Sequence, residues 1–412
     1  MGRDFGFLWA AFAASAVGTW FAFDAFPLVA ILVLHSTPAE VSLLAAAGLI
    51  VGALVAVPLG PWVEFRRKRP VMVAMDLLRF LALLTLPAAY LLGGLTFGQL
   101  VVVSVVVAAA DIVFTAASGA FLKSLVAKEH LLQANGRFEA TSWAATAVGP
   151  PLGGLAIGVL GPLTTIVANA ASFLLSALGI RAIRGQEPAP DQAPRLSAGE
   201  IFDGWRHILR HPVLRPLFLN SALFNGLLLA TAPLLAVLML GDLGFTPWQY
   251  GLAFGVPSLG GLVGARLARP LVGRFGQRPV LLAASVLRVV FVPGLAFVGP
   301  GLPGLLLVIG LELGIIVSCS IYAPVSATAR LEHSSPDTVA RVLSAWSVTT
   351  KVSIAATTAV WGLLAGLIGP REAIAAAGVL ALLTPLTMIG RGQRTRVAYG
   401  MISPQRTGTT RT

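Results

Sequence analysis

Four ionisable residues lie inside long apolar segments of this sequence, where a charge is costly. They are Asp24, Asp111, Glu312 and Lys351. A charged group in a hydrocarbon environment is rare, and it marks the path of an ion or a substrate by default. A carboxyl group in such a place can bind a cation or take up and release a proton. Each of the four is therefore a candidate for proton coupling or substrate binding.

Each of these residues also has a structural alternative. Asp24 could be a water-exposed residue at a helix end, and Asp111 could be held by an ion pair or a hydrogen bond. Glu312 could pair with Lys351 on the following helix. Asp76 and Arg79 are three residues apart, which favours a local ion pair on one helix face.

The composition shows which elements must position these residues. The chain has 412 residues, of which 56% are hydrophobic and 11% are charged, whereas soluble domains average about 25% charged residues. Apolar runs of about 20 residues, long enough to cross about 30 Å of hydrocarbon, recur along the whole length. The net charge of +12 gathers in loops on one side, as expected for cytoplasmic loops of a membrane protein. We therefore expect a lipid bilayer around the chain and no nucleic acid partner.

Twelve membrane spans are predicted, so the fold class is an all-α membrane protein. They lie at about 6–34, 41–62, 71–93, 98–123, 139–159, 164–183, 216–240, 249–270, 279–299, 304–328, 343–366 and 372–390. Both termini fall on the basic side, which places them in the cytoplasm and the spans in the inner membrane. The expected parts are a six-helix bundle at 1–183, a cytoplasmic linker at 184–215, a second bundle at 216–391 and a tail at 392–412.

The linker carries its own helix signal. Ser197 and Glu200 have the spacing of a capping box. An apolar stripe follows, and it favours a short amphipathic helix lying on the inner membrane surface. The stripe consists of Ile201, Trp205, Ile208 and Leu209.

The two predicted bundles share a sequence repeat. The segments Arg69-Pro70-Val71 and Arg278-Pro279-Val280 lie 278 − 69 = 209 residues apart, and Arg79 and Arg288 show the same offset. A repeat at half the chain length indicates two pseudo-symmetric bundles with a cavity between them near the middle of the membrane.

The loop after the second span resembles a signature of the major facilitator superfamily, Gly-x-x-x-Asp-Arg-x-Gly-Arg-Arg/Lys. Gly60, Glu64, Lys68 and Arg69 stand at signature positions, whereas Phe65 and Arg67 depart from it. The resemblance implies that Glu64 faces the start of span 11 and latches the cytoplasmic gate. The second copy keeps Gly276 and Arg278.

The fifth span is similar to the antiporter motif of drug-exporting members of that superfamily. The matching residues are Gly136, Gly149, Pro150, Gly153 and Gly154, and Ala145 replaces an expected glycine. Small residues and a proline allow a bent helix that packs closely where the bundles meet. Gly and Pro are also frequent in ordinary membrane packing. The spacing favours an exporter.

Two further stretches, 200–215 and 76–79, resemble the branch that contains macrolide-efflux proteins and the enterobactin exporter. The resemblance implies multidrug-resistance-type efflux of an amphipathic small molecule such as a drug, an antibiotic, a siderophore or another secondary metabolite. It also implies proton antiport with alternating access. In this superfamily spans 1, 4, 7 and 10 line the cavity, and this implies cavity positions for Trp20, Phe23, Asn220 and Asn225.

The same resemblance places the three acids in the cavity. We rank Asp111 first as the proton carrier because it is nearest the middle of the membrane and no basic residue lies within one turn of its helix. Asp24 and Glu312 follow in that order.

The sequence favours a transporter over an enzyme. It has no catalytic constellation and no phosphate loop, so the expected energy source is a proton gradient and no cofactor is expected. His207 and His211 are four residues apart but lack further ligands in the sequence, so no metal site is expected. We expect a monomer. An importer or uniporter of a small metabolite and a non-transporting membrane sensor or scaffold remain the alternatives.

Overall fold

Helices make up the regular structure of the part of the chain that can be described. The computed structural model describes residues 2–48, 50, 66–126, 130–184, 198–334 and 339–389. Eleven helices within these ranges are long and apolar enough to cross a membrane. A further helix at 38–48 is the described part of predicted span 2. The predicted all-α fold with twelve membrane helices is thereby confirmed.

The N-terminal half contains seven described helices. Thr96 caps the fifth by accepting a hydrogen bond from the backbone N–H of Gln99. Proline follows Gly161 at the start of the seventh, where its missing N–H costs nothing. The helices are α1 (Arg3–Phe21), α2 (Ala25–Leu32), α3 (38–48), α4 (Lys68–Leu91), α5 (Phe97–Leu125), α6 (Leu131–Leu160) and α7 (Pro162–Arg181).

The linker and the C-terminal half contain eight described helices. Thr246 and Gln249 form a capping box at the start of α10. The helices are α8 (Ala198–Arg210), α9 (Leu214–Val237), α10 (Pro247–Phe275), α11 (Gln277–Val290), α12 (Gly301–Glu332), α13 (Val339–Ile368), α14 (Pro370–Leu383) and α15 (Leu386–Ile389). A π-helical turn extends α9 over Leu238–Asp242, and a 3-10 helix follows α11 over Val292–Phe297.

The first span is broken, although the sequence predicts one continuous helix at 6–34. Helix α1 ends at Phe21 and α2 starts at Ala25, and between them Asp24 has φ +53° and ψ +22°. This left-handed conformation is unfavourable for most residues, but aspartate tolerates it better than bulky residues do. The break leaves the Asp24 side chain at a turn within the span.

Small residues allow the first span to pack closely on α7. A side chain on Gly18 would collide with Ser172, and one on Gly179 would come within 3.2 Å of Ala11. Close helix approach of this kind is how membrane helices gain packing energy, since the lipid is as apolar as the side chains. Below, the inner side is the face that carries the basic segments 66–69, 181–184 and 274–278, and the outer side is the opposite face.

The linker helix α8 differs from its predicted orientation. Ile208 is completely buried in a cluster with α9 and α13, and the Trp205 indole N–H donates to Thr349 Oγ1 at 2.7 Å. Trp205 and Ile208, which were predicted to face the membrane, therefore pack against the C-terminal half, whereas Leu209 is exposed. The side chain of Ile201 lies outside the described residues. The capping residue Ser197 lies outside the described residues.

The orientation can be tested by cysteine labelling in a Cys319→Ala background. Leu92 and Glu332 are exposed on opposite sides. The positive-inside bias predicts that a membrane-impermeant maleimide labels Leu92→Cys in intact cells and Glu332→Cys only after permeabilisation. Labelling of position 332 in intact cells would reverse the orientation.

Candidate transport site

A hydrogen bond between carboxylate and phenol joins the two halves at the break in the first span. The Tyr250 hydroxyl of α10 donates to Asp24 Oδ2 at 2.6 Å. The charge of Glu312 on α12 also acts on Tyr250. Asp24, one of the three acids predicted from the sequence, thus lies at a junction between the halves, and Tyr250 is a partner that the sequence analysis missed. Its only sequence signal is its position four residues after the capping residue Thr246.

Aromatic rings surround this junction. Phe23 stacks on Trp20 with ring centroids 6.0 Å apart, and it also stacks on Tyr250 at 6.3 Å. Phe254 lies 5.7 Å from Phe23 and 4.9 Å from Tyr250. Phe23, which the resemblance places at the cavity, therefore contacts the C-terminal half directly, and Trp20, its other predicted cavity residue, packs against Phe23 within the N-terminal half.

The glycines of α6 bring its backbone against the first span. A Cβ atom on Gly149 would lie 2.6 Å from the backbone carbonyl carbon of Trp20, and one on Gly153 would collide with the carbonyl oxygen of Phe21. Real Cβ atoms do not approach backbone this closely, so these positions admit only glycine at the present helix spacing. Gly136 lies near the inner end of the same helix.

The same helix also meets the C-terminal half. A Cβ atom on Gly154 would collide with the backbone of Pro247, and one on Gly251 would collide with the carbonyl of Pro150. Deeper in the membrane, the Ser258 hydroxyl lies 3.3 Å from the carbonyl oxygen of Thr146. The small residues of α6 and α10 thus hold the two halves together from the outer end toward the middle of the membrane.

Asp111 lies in a different environment from the one expected. We ranked Asp111 first as the proton carrier partly because no basic residue lies within one turn of its own helix. Arg79 of the neighbouring helix α4, however, donates to Asp111 Oδ1 at 2.9 Å. Arg79 also pairs with Asp76, as the spacing predicted. Asp76 is completely buried, whereas the Asp111 side chain is 61% exposed. Asp111 thus makes the ion pair that the sequence analysis gave as its structural alternative.

The repeated arginines occupy equivalent environments in the two halves. The Arg79 guanidinium lies 4.5 Å from the ring of Phe114 and 4.1 Å from that of Phe173. Arg288 is likewise held between two rings, at 3.9 Å from Phe224 and 3.8 Å from Tyr322. Cation–π contact is stronger where water is excluded. The repeat detected in the sequence is therefore also a repeat of the aromatic contacts around each arginine, although their polar partners differ.

Asn220 belongs to the Arg288 cluster and not to an open cavity. It is completely buried, its Oδ1 accepts from Arg288 at 2.5 Å, and its Nδ2 donates to the carbonyl oxygen of Thr384 at 2.8 Å. The resemblance placed it at the cavity, but this hydrogen bonding ties α9, α11 and the end of α14 together. Asn225, one and a half turns further, is part-buried.

Glu312 and Lys351 are not paired in the structure. Both are part-buried, and among the described residues no ion pair joins them. Glu312 therefore lies in the membrane without the partner that the sequence offered as its structural alternative. That isolation, together with its closeness to Tyr250, keeps it a candidate for proton binding.

The gating signature is only partly visible. Gly60 and Glu64 lie outside the described residues, so the latch on span 11 remains a prediction. Arg69 donates to the carbonyl oxygen of Arg181 at 2.5 Å, which ties the start of α4 to the end of α7. Lys68 donates to the carbonyl oxygen of Arg66. In the second copy, Gly276 has φ +84° between α10 and α11, and Arg278 is exposed.

An apolar groove of about 500 Å³ runs between α1 and α6. This volume is in the range of small-molecule sites, which are mostly apolar with few polar groups. Among the lining residues that the structure describes, Arg137 is the one with a charged side chain. The groove is lined by Trp9, Val17, Phe21, Arg137, Ala140, Thr141, Ala144, Ala145, Val148, Gly149 and Leu152.

Two helical bundles that meet at ionisable groups within the membrane define a two-bundle membrane transporter. The chain belongs to the Major Facilitator Superfamily, whose sequence profile matches residues 8–237 and 228–398. It is 29% identical to the multidrug efflux pump Tap of Mycolicibacterium fortuitum over 349 residues. The matched stretch covers 79% of this chain and 81% of that protein.

Solved structures share the fold at low sequence identity. The nucleoside transporter NupG superposes with a TM-score of 0.74 at 10% identity, over 94% of this chain and 98% of that one. A bacterial homologue of the iron transporter ferroportin, in an inward-facing state, gives 0.72 at 18% identity, over 93% and 99%. These likenesses establish the architecture and carry no information about the substrate.

The packing of α6 gives a testable prediction. Gly154→Val should force α6 and α10 apart and cost about 1–3 kcal/mol of the contact, as overpacking does elsewhere. Gly158→Val on the same helix is the matched control, because a Cβ atom there meets nothing within 4 Å. Disulfide trapping between the outer ends of the halves should fall for Gly154→Val and stay at the parent level for Gly158→Val. Equal trapping in both variants would contradict this role of Gly154.

Proposed function

We propose that this chain exports amphipathic small molecules in exchange for protons. The observation that carries the proposal is the Asp24 carboxyl group at the contact between the halves, with Tyr250 as its hydrogen-bond donor and Glu312 nearby. The motif in α6 and the similarity to a multidrug efflux pump support the outward direction.

The part-buried position of Asp24 supplies a coupling mechanism. A carboxylate is much more costly to remove from water than a neutral carboxylic acid. Closure of the outer side places Asp24 among aromatic rings, so closure is favoured when the group is protonated. Opening of the outer side hydrates it, and it can then take a proton from the external medium. A proton gradient thereby drives the halves toward outer closure.

Substrate binding can act on the same acids. A cationic group near Asp24 or Glu312 neutralises a carboxylate in the way that a proton does, so proton and substrate compete for the site. The apolar groove between α1 and α6 can accept the apolar part of the same molecule. An amphipathic cation satisfies both requirements, which makes it the substrate class we propose.

Export can be measured with ethidium, an aromatic amphipathic cation, in a host that lacks its own efflux pumps. Cells that express the chain should accumulate less ethidium than cells that do not, and a protonophore should remove the difference. Export that persists with the gradient collapsed would favour a uniporter, and higher accumulation would favour an importer.

The coupling residues can be separated from general charge effects. Asp24→Asn keeps the hydrogen-bond acceptor but cannot exchange a proton, so protonophore-sensitive ethidium efflux should fall to the level of cells without the transporter. Downhill ethidium exchange in proteoliposomes should remain. Asp242→Asn is the matched control, because Asp242 is exposed at the outer end of span 7. If Asp24→Asn pumps like Asp242→Asn, Asp24 is not the coupling group, and Glu312 and Asp111 become the candidates.

A further inference from the structure

A basic cleft on the inner side lies beside an exposed apolar face of the same helix, which consists of Phe202 and Leu209. The cleft has a volume of about 470 Å³ and lies between α8 and the start of α13. Its charged residues are Arg206, Arg210, Arg341 and one carboxylate, Asp203, which is 3.9 Å from Arg341. The remaining lining residues are His207, His211 and Pro212. Among the described lining residues, three guanidinium groups against one carboxylate favour an anion.

His211 does not add to this charge at neutral pH. His211 Nδ1 accepts hydrogen bonds from the backbone N–H groups of Val213 and Leu214, at 3.2 and 3.3 Å, and so begins α9. Burial, together with the neighbouring His333 and His207, lowers the pKa of His211 below its usual value. The arginines stay protonated in proteins and therefore carry the permanent positive charge of the cleft.

One side-chain atom in the cleft is buried and has no protein partner. His207 Nε2 is shielded from solvent and makes no hydrogen bond with the described residues. A buried polar atom without a partner is uncommon and calls for an explanation, such as a group that is bound there. A ligand with hydrogen-bonding oxygen atoms would satisfy it.

The exposed apolar face of α8 indicates that the anion is the headgroup of a lipid. Phe202 and Leu209 are 70% and 46% exposed, and they lie seven residues apart, which places them on one face of α8. Arg206 and Arg210 follow on the adjacent face. Helices that lie in a membrane surface bury such an apolar face among the acyl chains and direct basic side chains to the lipid phosphates. A free phosphate would make no use of Phe202 and Leu209.

We propose that α8 and the start of α13 bind the headgroup of an anionic phospholipid, with Arg206, Arg210 and Arg341 around the phosphate and Phe202 and Leu209 among the acyl chains. The bound lipid then joins the linker to the C-terminal half from the membrane side. Native mass spectrometry of the detergent-solubilised full chain should show preferential retention of phosphatidylglycerol over phosphatidylcholine.

Charge variants test the headgroup contact. Arg206→Gln/Arg210→Gln should weaken phosphatidylglycerol binding about 25-fold, since each basic residue near an anionic surface contributes about fivefold. Arg269→Gln/Arg274→Gln is the matched control, because it removes the same charge from exposed positions on another helix of the same half. Equal binding by the two double variants would overturn the proposal, as would equal retention of both lipids by the parent.

The contributions of the exposed apolar face and of the phosphate group can be tested separately. Phe202→Ser/Leu209→Ser should also reduce phosphatidylglycerol retention while leaving the cleft intact. Inorganic phosphate alone should not raise the melting temperature of the full chain, whereas phosphatidylglycerol should raise it. Phosphate could reproduce the stabilisation, and Phe202→Ser/Leu209→Ser could retain the lipid as the parent does. In that case the cleft is a site for a soluble anion and the lipid assignment is wrong.

Discussion

Close backbone contact between α6 and its neighbours is the constraint on which the rest of the structure depends. Gly154 and Gly251 let α6 and α10 approach until backbone meets backbone, and Gly149 does the same against the first span. Only at this distance can Tyr250 reach Asp24 across the junction of the halves. In a membrane such contacts gain energy from packing and not from the hydrophobic effect, so one added methyl group is costly. The closed outer side and the protonatable site are therefore one structural unit.

The buried arginines of the two halves have different polar partners, although they stand at equivalent positions of the sequence repeat. Arg79 has two carboxylates, Asp76 and Asp111, whereas the position that corresponds to Asp76 in the second half is 76 + 209 = 285, a serine. Arg288 instead relies on Asn220 and two aromatic rings. In the N-terminal cluster two carboxylates thus share one arginine. Asp24 and Glu312, which lack a cation partner among the described residues, are better suited to bind and release a proton.

Much of this arrangement could be predicted from the sequence. Apolar run lengths gave the twelve spans, and the spacing of Gly149, Gly153 and Gly154 located a helix that needs close contact. Other features depend on contacts between distant segments. The break at Asp24 interrupts a run that is apolar on both sides, and the partner of Asp111 lies 32 residues away on another helix. The prediction that Trp205 and Ile208 of α8 face the membrane was wrong, because an apolar stripe has the same sequence pattern whether lipid or protein covers it.

The central claim is that protonation of Asp24 favours closure of the outer side. Its most direct test is the distance between spin labels at Leu92 and Leu302, which are exposed at the outer ends of the two halves. Measured by double electron–electron resonance in nanodiscs, the distance should be shorter at acidic than at alkaline pH. In Asp24→Asn it should be short at both, since a neutral side chain is buried in either case. A distance that does not depend on pH in the parent, or that lengthens at acidic pH, would contradict the account.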